Sequence, residues 1–141
     1  MSPLYTAVAH TNKGGRQGGH AETDDGRVKV DLAFPKEMGG DGNGTNPEQL
    51  VALGYSACFA SAVGAVARQT RQDIDGLDVT CRASISKDGE GFALSFAIEA
   101  VLPRLSQADA EALVEKAHAL CPYSRAFRDT APATATAKGG S

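Results

Sequence analysis

The sequence predicts an α+β fold. Apolar and polar residues alternate over 28–34, 77–85 and 92–100, the period of half-buried strands. Residues 49–67 carry no charge and follow a helix start signal, and 106–120 show the stripe of an amphipathic helix. The order of strands, helix, strands, helix and one more strand is that of an α+β domain.

Taken in order, residues 5–10 read as a first strand. The glycine-rich stretch 12–19 (Asn12-Lys13-Gly14-Gly15-Arg16-Gln17-Gly18-Gly19) reads as a turn. Residues 20–23 make a short strand, Asp24-Asp25-Gly26 a tight hairpin turn, and 28–34 the third strand of an antiparallel set. Pro35 ends it. The glycines of 38–44 form a connector. No Gly-Lys-Ser/Thr follows them, so a phosphate-binding loop is rejected.

The central helix begins at Thr45 or Asn46, with Pro47 in the first turn, where its missing N–H is not needed. Thr45-x-x-Glu48 has the form of a capping box. Without charge on any side, the run 49–67 predicts a buried helix. Its length also raises a membrane-spanning reading. Tyr55, Ser56, Ser61, two glycines and many alanines keep its hydrophobicity low, and the rest of the chain reads as a soluble domain. After a polar joint, 77–85 and 92–100 form a second hairpin about Lys87-Asp88-Gly89-Glu90-Gly91. Ser106 caps a helix with Leu113, Val114, Ala117 and Leu120 on one face. It ends at Cys121-Pro122, because the residue before proline resists the helical region. Residues 123–128 suggest one more helical turn and 133–137 a last strand.

The 141 residues amount to one domain, 1–141, long enough to bury a core without disulfides. Net charge is −3, with no basic run and no aromatic-basic interleaving, which argues against a nucleic-acid partner. No apolar signal-peptide region opens the chain, so a cytoplasmic, reducing location is expected. The three histidines are widely spaced, and neither Cys-x-x-Cys nor His-x-x-x-His occurs, so no metal or other cofactor is expected.

The three cysteines differ in setting. Cys81 falls in register with Val79 and Ala83 on a strand's apolar face and reads as a small buried hydrophobe. Cys58 sits mid-helix among Gly54, Ser56, Ala57, Ala60, Ser61, Ala62, Gly64 and Ala65. Cys121 ends a helix beside a proline. Either could be inert core. Arg16 could be a solvated turn charge, and Glu48 a capping residue only.

Four blocks resemble a known family. Gly14-Gly15-Arg16, Gly44-Thr45-Asn46-Pro47-Glu48-Gln49-Leu50, Gly54-Tyr55-Ser56-Ala57-Cys58-Phe59 and Cys121-Pro122-Tyr123-Ser124 closely resemble the organic hydroperoxide resistance family, within the OsmC-like group of thiol peroxidases. The resemblance runs from Leu4 to about Ala137. After Ser124 the chain departs from the family pattern at Arg125 and Arg128-Asp129, and its tail is alanine-rich.

The resemblance implies an OsmC-like fold, with antiparallel strands around a buried central helix in an intertwined homodimer. It implies a peroxidase that reduces alkyl or fatty-acid hydroperoxides. Cys58 would be the thiol that attacks peroxide, Cys121 the thiol that closes a disulfide on it, and Arg16 with Glu48 the pair that tunes Cys58. The reductant would be a dithiol, a lipoyl group on a partner protein. An alternative on the same fold is a binding or redox-sensing domain that reports oxidation without turnover.

One distance is awkward for this assignment. On a continuous helix, Glu48 and Cys58 lie roughly 15 Å apart along the axis, beyond the reach of a glutamate side chain. Either the helix breaks, with Gly54 the natural place, or Glu48 comes from a second subunit.

Overall fold

The structure, a computed structural model, describes residues 1–140. It divides into two compact units, Met1–Leu50 and Val51–Ser141.

The first unit carries a three-stranded antiparallel sheet of β1 (Ala9–Thr11), β2 (His20–Thr23) and β3 (Lys29–Asp31), in that spatial order. His10 faces Glu22 across β1 and β2, and His20 faces Asp31 across β2 and β3. The first strand is shorter and later than 5–10. β2 turns away at Asp24-Asp25-Gly26, so only Ala9, His10 and Thr11 have ladder partners, and Leu4, Tyr5 and Val8 lie exposed. The third strand also stops early. Leu32 leaves the sheet for an isolated parallel bridge to Thr45, and Leu32 and Ala33 are buried in succession, which ends the alternation. The connector 38–44 is hydrogen-bonded back onto its own entry, through Gly40 N–H to the Pro35 carbonyl and Gly42 N–H to the Phe34 carbonyl.

Helix α1 spans Pro47–Thr70. Asn46 is its cap, because its Oδ1 accepts from the Gln49 N–H at 2.9 Å. Thr45 Oγ1 donates to Gln49 Oε1 instead. The expected Thr45–Glu48 capping box is therefore not made. With Asn46 as the cap, the third helical position falls to Gln49, and Glu48 is left free for another partner. Nor does the helix break at Gly54.

The second unit is built on a sheet of β4 (Asp78–Asp88), β5 (Gly91–Leu102) and β6 (Ala133–Gly139), in the order β4-β5-β6. β4 and β5 form the expected hairpin. β6 pairs with β5 in parallel, Phe96 beside Ala133, so the strands are not all antiparallel. The reason lies in the connection: α2 (Gln107–Leu120) and α3 (Pro122–Phe127) carry the chain back before β6, which enters the edge in the direction of β5. Ser106 Oγ caps α2 by accepting from the Asp109 N–H. Ala110, Leu113, Val114 and Ala117 form its buried stripe, and Leu120 is exposed.

By length and composition α1 could cross a membrane, an 18-residue window of it having a mean hydropathy of 1.8. Its Tyr55, Phe59, Val63 and Val66 face is instead core, with Tyr55 edge-on to Phe96 of β5 at 5.5 Å between ring centres. The helix is not buried all round. Leu53 is 67% exposed, and Ala57 and Ser61 on the same side are also open, since the sheet covers only one face.

Candidate active site

Two residue pairs expected from the sequence form in the structure, one in each unit. In the second unit, the end of α2 brings Cys121 to Cys58. Cys121 takes φ −60° and ψ 124°, out of the helical region, and Pro122 starts α3 at once. The Cys121 thiol is fully buried and donates to Cys58 Sγ at 3.6 Å. Cys58 is half-buried, and both thiols are free. Burial pushes the Cys58 thiol pKa up. The Tyr123 backbone N–H, donated to its sulfur, opposes this, while the neighbouring Cys121 adds to the rise. Among the described residues of this unit, no cationic side chain favours the Cys58 thiolate.

The joint is fixed by aromatic packing. Tyr123 lies over α1 at Gly54 and 5.6 Å from Tyr55, while Phe127 stacks on Phe96 at 4.6 Å. Beneath it is a polar chain that the sequence did not reveal. Tyr55 Oη lies 2.7 Å from Ser124 Oγ, and Ser124 Oγ 2.9 Å from His118 Nδ1. Tyr55 and Ser124 are fully buried. The available signal was a tyrosine in the apolar stripe of α1, since a buried phenol needs a partner.

Cys81 lies on the inner side of β4 at the core's margin, where burial pushes its thiol up. It behaves as the small apolar residue expected.

In the first unit, Arg16 of the 12–19 turn donates from Nη2 to Glu48 Oε1. Both side chains are largely buried. Glu48 stands in the first turn of α1, where the helix dipole favours a carboxylate. Arg16 Nε is buried and has no hydrogen-bond partner among the described residues. Arg16, Ala33, Phe34, Gly40 and Asp41 line a recess of about 280 Å³. Among the described residues, no three histidine, cysteine or acidic side chains are grouped to hold a metal ion.

The OsmC-like protein family matches residues 40–136. An organic hydroperoxide resistance protein of Xanthomonas axonopodis pv. citri is 41% identical over 135 residues, 94% of each chain. The crystal structure of an organic hydroperoxide resistance protein from Legionella pneumophila superposes with a TM-score of 0.91 at 43% identity, covering 97% of this chain and 99% of that one. The organic hydroperoxide resistance protein OhrB of Bacillus subtilis superposes with a TM-score of 0.86 at 35% identity, over 96% and 100%. The chain belongs to the OsmC-like family, among the organic hydroperoxide resistance proteins.

Proposed function

We propose that the protein is a thiol peroxidase that reduces organic hydroperoxides to alcohols. The observation that carries this is the Cys121 thiol 3.6 Å from Cys58 Sγ, one sulfur half-buried and the other fully buried. The Cys58 thiolate attacks the outer peroxide oxygen. The O–O bond breaks, the alkoxide leaves and is protonated to the alcohol, and Cys58 becomes a sulfenic acid. The Cys121 sulfur then attacks Cys58. An S–S bond forms, the S–O bond breaks, and hydroxide leaves with the Cys121 proton as water. A dithiol reductant, a lipoyl group on a partner protein, reopens the bridge by exchange.

Burial raises the Cys58 thiol, so reaction near neutral pH calls for a cation. Arg16 supplies it in this reading. Its charge is permanent, Glu48 orients it, and its unpartnered Nε–H is a donor in reserve for a peroxide oxygen. Apolar surroundings favour alkyl or fatty-acid hydroperoxides over hydrogen peroxide. Free thiols fit the reducing cytoplasm.

The working form is a homodimer with composite sites. An unbroken α1 keeps Glu48 and Cys58 roughly 15 Å apart along its axis. Open apolar surface at Leu53 on α1 and at Leu4, Tyr5, Val8 and Val28 supports a second copy as cover. Arg16 and Glu48 then serve the partner's Cys58.

The test follows loss of cumene hydroperoxide and of hydrogen peroxide, with dihydrolipoamide or a monothiol as reductant. Sustained turnover is expected with the organic substrate and the dithiol. A single oxidation without turnover under every condition would favour the redox-sensing alternative.

A further inference from the structure

We propose that Ser124, held between Tyr55 and His118, is a positioning residue for the closure of Cys121 on Cys58. The inference rests on the peroxidase reading and concerns its second step alone.

Tyr55 and Cys58 are three residues apart on α1, so they project from adjacent turns of one side. Cys121 and Ser124 are also three apart, across the Pro122 joint. The contacts pair them in reverse order, Cys58 with Cys121 and Tyr55 with Ser124. They are two rungs of one ladder between α1 and the joint. The hydroxyl rung, at 2.7 Å, is already at bonding length. The thiol rung, at 3.6 Å, must shorten to about 2.05 Å when the disulfide forms.

The hydroxyl rung is also tied to α2. His118, three residues before Cys121, meets Ser124 Oγ through Nδ1 at 2.9 Å. Burial pushes the His118 pKa down, which favours a neutral ring whose Nδ1 accepts from the serine hydroxyl. Ser124 Oγ then accepts from the Tyr55 hydroxyl, and the chain runs in one direction from α1 through α3 to α2.

What the ladder fixes is the start of α3. Cys121 caps that helix, and its carbonyl accepts from the Arg125 N–H at 3.0 Å. A shift of Ser124 is therefore a shift of Cys121, and a displacement near 1 Å can cost on the order of a hundredfold in a reaction between two fixed groups. The attack of Cys58 on peroxide needs no such closure. The hydroxyl rung thus governs what becomes of the sulfenic acid once formed. It closes to the disulfide with release of water, or it takes oxygen from a second hydroperoxide and becomes a sulfinic acid.

The experiment compares wild type, Ser124→Ala and Tyr55→Phe, each treated with stepwise equivalents of cumene hydroperoxide without reductant. Stopped flow reads the first oxidation, and intact mass reads disulfide against sulfinic acid. Wild type is expected to stop at the disulfide. Both variants are expected to oxidise first at the wild-type rate and then close about tenfold more slowly, with sulfinic acid accumulating. The double variant should be no worse than Ser124→Ala, since both remove the same bond. Wild-type partition in both single variants overturns the inference while leaving the peroxidase reading intact. Equal slowing of both steps also overturns it, because the network would then be general packing. A wild type that consumes no hydroperoxide fails at the first measurement and sinks the underlying reading instead.

Discussion

Gly54 and Tyr123 fit together only because α1 carries no side chain at that point: a Cβ on Gly54 would sit 2.6 Å from Tyr123 Oη. Elsewhere in a helix, Gly→Ala gains about 1 kcal/mol. Here the gain is opposed by overpacking of an aromatic ring, which costs about 1–3 kcal/mol. Gly54→Ala should lose about 1 kcal/mol net by the same balance, and it should slow closure, since Tyr123 also donates its N–H to Cys58. Thermal melts and the rate of disulfide formation check this. A more stable variant with an unchanged rate would mean that the ring swings away freely and does not hold the joint.

Peroxide without reductant should produce one intramolecular bridge, Cys58–Cys121, and leave Cys81 reduced. Cys81 lies on β4 with its thiol raised by burial, and it is Cys121 that meets Cys58 Sγ, at 3.6 Å. Cys58→Ser should abolish consumption, because a serine hydroxyl is not ionised near neutral pH. Cys121→Ser should react once and then over-oxidise. Peptide mapping decides, and Cys81 in the bridge would refute the assignment.

Much of this arrangement was legible in the sequence, and the misses share a cause. Cys121-Pro122 announced its own helix stop because proline acts locally. The alternation of β4 and β5 was legible because the sheet buries one face of each. By contrast, Thr45 and Asn46 both offer a capping oxygen, and only the fold selects Asn46, leaving Glu48 to Arg16. The pattern of 5–10 could not show that β2 turns away after Thr23. A run without charge cannot show that only one side of α1 is covered. The direction of β6 depends on the path through α2 and α3. Tyr55 and Ser124 are 69 residues apart, and nothing local to either announces their bond.

Two histidines should titrate on opposite sides of the ordinary value near 6.5. Burial, then the charge of Arg128, lowers His118, whose groove also holds Glu111 and Glu115. Its unfolded form binds the proton more readily. Its contribution to stability is therefore present above the unfolded pKa and is lost as pH falls through the folded one. His20 is raised, chiefly by its hydrogen bond to Asp31 and further by Glu22. Its contribution is present below the unfolded pKa and is lost as pH rises through the folded one. NMR titration of the imidazole carbon-bound protons, assigned with His20→Gln, should give His118 the lower midpoint. The reverse order would contradict the burial of His118.

Arg16 and Glu48 pair within one chain, and α1 runs unbroken from Glu48 past Cys58. In the composite-site reading both residues of the pair therefore act in trans on the second copy's Cys58. Cys58→Ser subunits and Arg16→Ala subunits should each be inactive alone. Mixed after dissociation and reassociation, they should regain activity. Each mixed dimer then holds one site with both defects and one with neither, and about half of the dimers are mixed under random pairing. Glu48→Ala should complement Cys58→Ser in the same way. Arg16→Ala should not complement Glu48→Ala, because every site then lacks one member of the pair. If Arg16 acts in cis, each site in the first mixture carries one defect and no activity returns. A chain that stays monomeric at working concentration and still turns over would remove the trans arrangement, and Arg16 would then have to reach Cys58 within its own chain.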